Sequence, residues 1–167
     1  MAKNYTVPEP ISVKDAKIIF PNFSGKASQY NRAGDKNFCL VLSHEDGEDL
    51  ADKGWNVKFK KDKETGEDLN PTLQVAVKFA NYPPKIWMKS GENGTPVQLD
   101  EESVSVLDTA EIQKINLVIT GSHWGPNAEG KEGIKAYVQR MYVTIVPNDF
   151  EDEFFGRNNN DDDVSPF

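Results

Sequence analysis

The sequence predicts an all-β domain, a sandwich or small barrel with one short helix, an extra hairpin and long loops. Two observations predict it. Short runs alternate apolar and polar residues, and clusters of Gly, Pro, Asn and Asp separate them. A third supports it: the chain carries no internal repeat, heptad pattern or long amphipathic helix.

Residues 1–13 read as a loose arm, because Pro8 and Pro10 disfavour regular structure. The first strand is expected at Ala16–Phe23, with Ile18, Ile19 and Phe20 at its centre and Pro21 marking an edge or bend. A polar, glycine-bearing connection, Ser24–Lys36, leads to a second strand at Asn37–Leu42. Ser43 is placed as an N-cap, Glu45 and Asp46 favour a first helical turn, and Gly54 ends a short helix over His44–Lys53. Trp55–Lys61 alternates Trp55, Val57 and Phe59 against Asn56, Lys58 and Lys60, which predicts a third strand with Trp55 and Phe59 in the core. After the charged loop Lys61–Pro71, Thr72–Ala80 alternates again, with Leu73, Val75, Val77 and Phe79 on one side. Tyr82-Pro83-Pro84 forms a rigid turn. Lys85–Lys89 and Thr95–Leu99 then flank the Gly91–Gly94 turn as a hairpin. Asp100–Glu111 holds at most a helical turn, and two long strands, Ile112–His123 and Gly133–Val146, close the domain around the loop Trp124–Glu132.

A chain of 167 residues, 37% hydrophobic, can bury the core of one domain. Its single cysteine, Cys39, excludes an intramolecular disulfide and suits a reducing compartment. The N-terminus lacks the apolar core of a signal peptide and no apolar run approaches membrane-spanning length, so a cytoplasmic protein with no membrane partner is expected. Enzymes are disfavoured. His44 and His123 are the only histidines, no zinc-protease helix, Walker loop or nucleophile elbow occurs, and one cysteine with two histidines does not make the usual zinc site. No cofactor or metal is expected.

Charge is unevenly spread. The formal net charge is −8, from 27 acidic and 19 basic residues; Asp149–Phe167 holds 7 of the acids and only Arg157 among the bases, so the body keeps 20 and 18. A segment so charged cannot bury enough apolar surface to offset its ordering entropy, and composition predicts disorder for it. Phe150, Phe154, Phe155 and Phe167 nonetheless lie within it, the composition of a docking peptide whose charge steers and whose rings anchor. The expected division is a folded body, 1–148, and an acidic interaction tail, 149–167.

The last seven residues, Asp161-Asp162-Asp163-Val164-Ser165-Pro166-Phe167, resemble the end of bacterial single-stranded DNA-binding proteins, with Ser165 inserted between the aliphatic residue and the proline. Tailed-phage single-stranded DNA-binding proteins end similarly, and body and tail together resemble that family. The oligonucleotide-binding (OB) fold, a five-stranded barrel with one helix and long loops, fits the element count. Here the helix falls between the second and third strands. The resemblance implies sequence-independent coating of single-stranded DNA in phage replication, recombination and repair. It also implies a tail that recruits DNA polymerase, helicase or other replication proteins through Asp161, Asp162, Asp163, Val164, Pro166 and Phe167. A body acting as monomer or homodimer in the host cytoplasm is expected.

Single strands are held by cations near phosphates and rings under bases. The strand alternation puts Lys58, Lys60, Lys78, Lys85, Trp87 and Lys89 opposite the apolar residues, a basic stripe with a tryptophan in it. Tyr30, Arg32 and Lys36 belong to the first polar connection, and Tyr82 and Trp124 sit in or beside loops. Tyr137 and Arg140 fall on opposite faces of their strand, so both reach DNA only if a bulge intervenes. A tail carrying −6 would compete with DNA for such a groove. Two alternatives share these features: an annealing or recombination-mediator protein, and an interaction module that binds no nucleic acid.

Overall fold

The structure is a computed structural model of the chain and describes residues 8–29 and 31–147. Among the described residues nine strands join into one mixed sheet: β1 (Ile11–Val13), β2 (Lys17–Asn22), β3 (Lys36–Val41), β4 (Val57–Lys58), β5 (Thr72–Val77), β6 (Lys85–Ser90), β7 (Val97–Leu99), β8 (Ile112–Trp124) and β9 (Gly133–Ile145). The one α-helix among the described residues, α1, spans His44–Asp52, and a 3-10 helix spans Ser103–Asp108.

The mostly-β expectation, with one short helix after the Lys36–Val41 strand and an extra hairpin, agrees with this architecture. The sequence pattern gives eight strands and the described residues hold nine; two regions differ from expectation. Residues 11–13, expected in a loose arm, form β1 and pair with β8 from Ile11–Ile119 to Val13–Leu117. The run Trp55–Lys61 forms only the two-residue β4. Trp55 is buried at 5% exposure, but Phe59 lies beyond the strand at 51% and is not core. Alternation predicts a full strand there; the backbone leaves the ladder after Lys58.

Pairing runs β1-β8-β9-β5-β3-β2. All these neighbours are antiparallel except β5 and β9, which are parallel through Val75–Ala136 and Ala76–Tyr137. β9 carries two different neighbours along one edge, β5 at its start and β6 from Arg140 to Ile145, while β8 flanks its other edge throughout. The two ends of the path, β1 and β2, are separated in the chain by only three residues, Lys14–Ala16, so a single stretch borders both ends of the sheet.

The core follows from period-two burial. Phe38 and Leu40 of β3, Leu73, Val75 and Val77 of β5, Leu117 and Ile119 of β8 and Met141 and Val143 of β9 all point inward. Helix α1 closes one side. Ser43 accepts the Asp46 N–H at 3.1 Å, satisfying one unpaired helix-start donor, and Leu50 is buried. Gly121 must be glycine for packing: a Cβ there would stand 2.6 Å from Ile134 and 2.7 Å from the Trp55 ring. Among the described residues no helix is long and apolar enough to cross a membrane, and no group of three or more His, Cys, Asp or Glu could hold a metal.

Candidate nucleic-acid interface

The inward alternation of β3, β5 and β9 leaves their other face open, and the register fixes what lies on it. Asn37 stands opposite Ala76, and Ala76 opposite Tyr137, so a row crosses three strands with its smallest side chain in the middle. That dip is the floor of a groove of about 820 Å³, walled by Lys36, Lys58, Lys78 and Lys135 and reached by Arg32. A second groove of about 970 Å³ holds Tyr82, Lys85, Gln139 and Arg140. Lys78, Ala80 and Tyr137 line both, so the two form one continuous channel.

The second groove exists because β9 bulges. Val118 faces Arg140, but the next residue, Ile119, faces Val138, which leaves Gln139 with no partner across the ladder. Val138 and Met141 are buried and both residues between them are exposed. The extra residue turns Arg140 to the side of Tyr137, and both line the second groove. Strict alternation would have kept them apart.

The channel concentrates the body's positive charge. Its lining counts seven basic side chains, Arg32, Lys36, Lys58, Lys78, Lys85, Lys135 and Arg140, against two acidic ones, Asp35 and Glu101. Both acids lie in the first groove, where Asp35 is 3.7 Å from the Arg32 guanidinium. Among the described residues the second groove holds no acid. Within it Lys85 and Arg140 sit directly opposite each other on parallel β6 and β9, both exposed, and neither makes an ion pair among the described residues. Like charges set side by side on a sheet are destabilising, so the pairing works against the fold and suits an anion between them.

Aromatic rings accompany the charge. Tyr82 is 91% exposed on its Pro-Pro turn, and Tyr137 is half-buried with the Lys135 ammonium 5.4 Å from its ring centroid. Phe79 adds a partly buried edge in the first groove. Cys39 lies across from Gln74 on the same open face, half-buried. Burial pushes its thiol pKa up, and nearby Lys58 and Lys60 oppose the rise.

Of the thirteen side chains expected at a DNA surface, the channel brings together Arg32, Lys36, Lys58, Lys78, Tyr82, Lys85, Tyr137 and Arg140. Lys60 is exposed nearby but lines neither groove. Lys89 is a correction. It is only 5% exposed, and its ammonium donates to the Glu92 carbonyl at 3.2 Å with the Glu92 carboxylate 3.9 Å away. The turn after β6 folds over it, which alternation within the strand could not foresee. Trp87 is half-buried and outside the channel, opposite Tyr142 of β9 and Gln98 of β7, one row beyond Lys85 and Arg140. Trp124 ends β8 opposite Gly133. A Cβ at Gly133 would collide with the Asn56 amide oxygen and approach the Trp124 indole nitrogen to 3.1 Å, so Trp124 lies next to groove-lining Asn56 and lines neither groove itself. Tyr30 and the six tail positions Asp161–Val164, Pro166 and Phe167 lie outside the described residues.

Sequence reasoning missed Lys135, Asn56, Gln74, Phe79 and Gln139. Lys135 was within reach of it, because it lies two residues before Tyr137 on the same strand and so shares its face. Gln139 was not, since the bulge exposes it.

A family described as "Putative phage ssDNA-binding domain" matches residues 1–165. The chain belongs to this family. The phage ssDNA-binding domain therefore accounts for the body that carries the channel and for nearly all of the acidic segment. Solved structures with which the chain shares a likeness include the single-stranded DNA-binding protein from bacteriophage Enc34. Its C-terminal truncation is 12% identical, with 83% of this chain and 87% of that one covered at a TM-score of 0.48. The Enc34 protein itself is 13% identical, with 92% and 88% covered at 0.47. The gp2.5 single-stranded DNA-binding protein encoded by bacteriophage T7 is 9% identical, with 90% and 96% covered at 0.40. No curated protein matches the chain.

Proposed function

We propose that the chain binds single-stranded DNA without sequence preference by laying the strand along the continuous channel. In this reading Arg32, Lys36, Lys58, Lys78 and Lys135 follow the phosphates at one end and Lys85 and Arg140 at the other, with bases over Tyr137 and Tyr82. The observation that carries it is the Lys85–Arg140 juxtaposition beside Tyr82 and Tyr137, with no ion pair and no acid in the groove among the described residues. Phosphate needs cations, and any base offers a π-face to a tyrosine, so the chemistry favours single strands over sequence.

An OB-type barrel is the architecture we assign to this body. Support comes from the strand order, from the parallel β5–β9 pair amid antiparallel ones, and from the chain stretch that borders both ends of the sheet. Replication and recombination in a phage-infected cell are the proposed setting. The acidic segment 149–167 then has two tasks: recruiting replication proteins such as polymerase or helicase, and competing with DNA for the channel. Its −6 charge against the channel's net positive lining supports the second.

Titration with oligo-dT at low and high salt, followed by tryptophan fluorescence, tests the reading. Quenching that weakens with salt is expected, because Trp124 lies next to groove-lining Asn56 and phosphate contacts release counterions. No binding at low salt, with or without residues 149–167, would overturn it.

A further inference from the structure

A second cleft opens at the far end of β9. It has a volume of about 300 Å³ and lies where β2 parts from β8, walled by Ile18, Pro21, Leu107 and Ile112, with Lys17 and Lys114 at its edges. Among the described residues β2 pairs only with β3, and its approach is tied to β8 by the Ala16 N–H to the Ile115 carbonyl at 2.8 Å and the Asp15 N–H to the Asn116 amide oxygen at 2.9 Å. The other edge of β2 therefore meets the cleft unpaired, the kind of edge that accepts an added strand.

Two features mark this end of the sheet, one at Phe20 beside cleft-lining Pro21 and one at the cleft's own lysines. Phe20 is 74% exposed with φ +52°, inside a register shift between Ile19 and Asn22. A bulky residue in that left-handed region is strained, and such strain gathers where a surface is used. The charge is also uncompensated. Neither Lys17 nor Lys114 makes an ion pair among the described residues, while the nearby Asp108 carboxylate is occupied by the Phe23 and Ser24 N–H groups at 2.7 and 2.9 Å.

The chain itself supplies a matching occupant. Ile145 pairs with Ile112, and the Val146 N–H donates to the Glu111 carbonyl at 2.7 Å, so β9 ends beside the cleft. Residues 148–167 continue from that point and carry an acidic run, Asp161–Asp163, directly before the apolar Val164, Pro166 and Phe167.

We propose that the β2–β8 cleft receives the Val164–Phe167 segment of the chain's own C-terminal region, with Asp161–Asp163 against Lys17 and Lys114. The apolar walls take Val164 and Phe167. The edge position tolerates Pro166, which has no N–H to give a ladder. A tether of this length holds the segment at an effective concentration on the order of millimolar, so a site too weak to retain a free peptide is filled intramolecularly. The DNA channel lies elsewhere. From Arg140 to Ile145 β9 advances roughly 17 Å, and from Lys135 roughly 34 Å, at about 3.4 Å per residue. DNA in the channel leaves the cleft open, and by closing the channel to acid it drives the segment toward the cleft.

This inference goes beyond the DNA reading; only the response to oligo-dT rests on that reading, and the docking itself is read in the DNA-free chain. A nitroxide is attached at Ser165→Cys in the full chain carrying Cys39→Ser, and backbone amide relaxation is recorded. Strong broadening at Ile18, Ala110 and Ile112 is expected, rising when oligo-dT is added and falling several-fold with Lys17→Glu plus Lys114→Glu. Broadening confined to Lys78 and Tyr137, or absent from the body, overturns the proposal. So does broadening at the cleft that the charge reversals leave unchanged. Unaltered amide positions outside the cleft establish that the variants fold. Failure of oligo-dT to bind would sink the DNA reading and leave the cleft result standing.

Discussion

Replacing Lys85 and Arg140 together by alanine separates binding from stability with opposite signs. Each phosphate neutralised on a single strand contributes a slope of about −0.7 to log K against log salt. The channel presents seven cations, and Arg32 is partly engaged by Asp35, so about six contacts give a slope near −4 for the intact chain. The double variant drops two contacts, and the slope falls to about −2.8. Extrapolated from 1 M to 0.1 M salt, two contacts amount to ~1.4 log units, or roughly 25-fold in affinity and about 2 kcal/mol. Stability moves the other way. The two side chains repel across the β6–β9 ladder, and relieving such a pair returns on the order of 0.2–1 kcal/mol. The assay is oligo-dT anisotropy across a salt series, paired with thermal unfolding of the same samples. An unchanged salt slope, or a lower Tm in the double variant, would refute the reasoning, because the pair would then serve the fold rather than DNA.

Three further outcomes follow from the same geometry. Tyr137→Ala and Tyr82→Ala should each weaken oligo-dT by about 1–3 kcal/mol with little change in salt slope, since they remove stacking rather than charge; isothermal titration at two salts distinguishes these. Lys89→Met removes a buried cation held by Glu92 and should alter thermal stability while leaving the salt slope of DNA binding intact, which differential scanning calorimetry and the same anisotropy series resolve. The Cys39 pKa is raised by burial, so less thiolate is present near pH 8.5 than for a free cysteine; alkylation should be slower than in the urea-unfolded chain, accelerate only at higher pH, and slow further under saturating oligo-dT.

Much of the fold was legible because burial on one sheet face writes itself as period two. Thr72–Val77, Lys85–Ser90 and the two 13-residue strands stood out for that reason, and Ser43 announced the helix start. Elements fixed by non-local pairing were not legible. Ile11–Val13 is a strand only because β8 is long enough to pair with it, and Phe59 is exposed because the ladder stops at Lys58. The site divides the same way. Lys58, Lys78 and Lys85 followed from alternation, whereas Arg140 joined Tyr137 through a bulge set by β8, and Lys89 was withdrawn by a turn three residues on. Alternation predicts a face, not the depth of what covers it. Trp87 illustrates the limit: it shares the Lys85 side of β6, yet its neighbours are Gln98 and Tyr142 rather than the channel.

The most direct measurement is photo-crosslinking of the full chain to an oligonucleotide carrying 5-iodo-deoxyuridine, with the attachment points mapped by mass spectrometry. The account predicts adducts at Tyr82, Tyr137 and the channel edge near Phe79, abolished by high salt. Adducts on the β2–β8 side, or on Trp87 and Tyr142 without any in the channel, would contradict it.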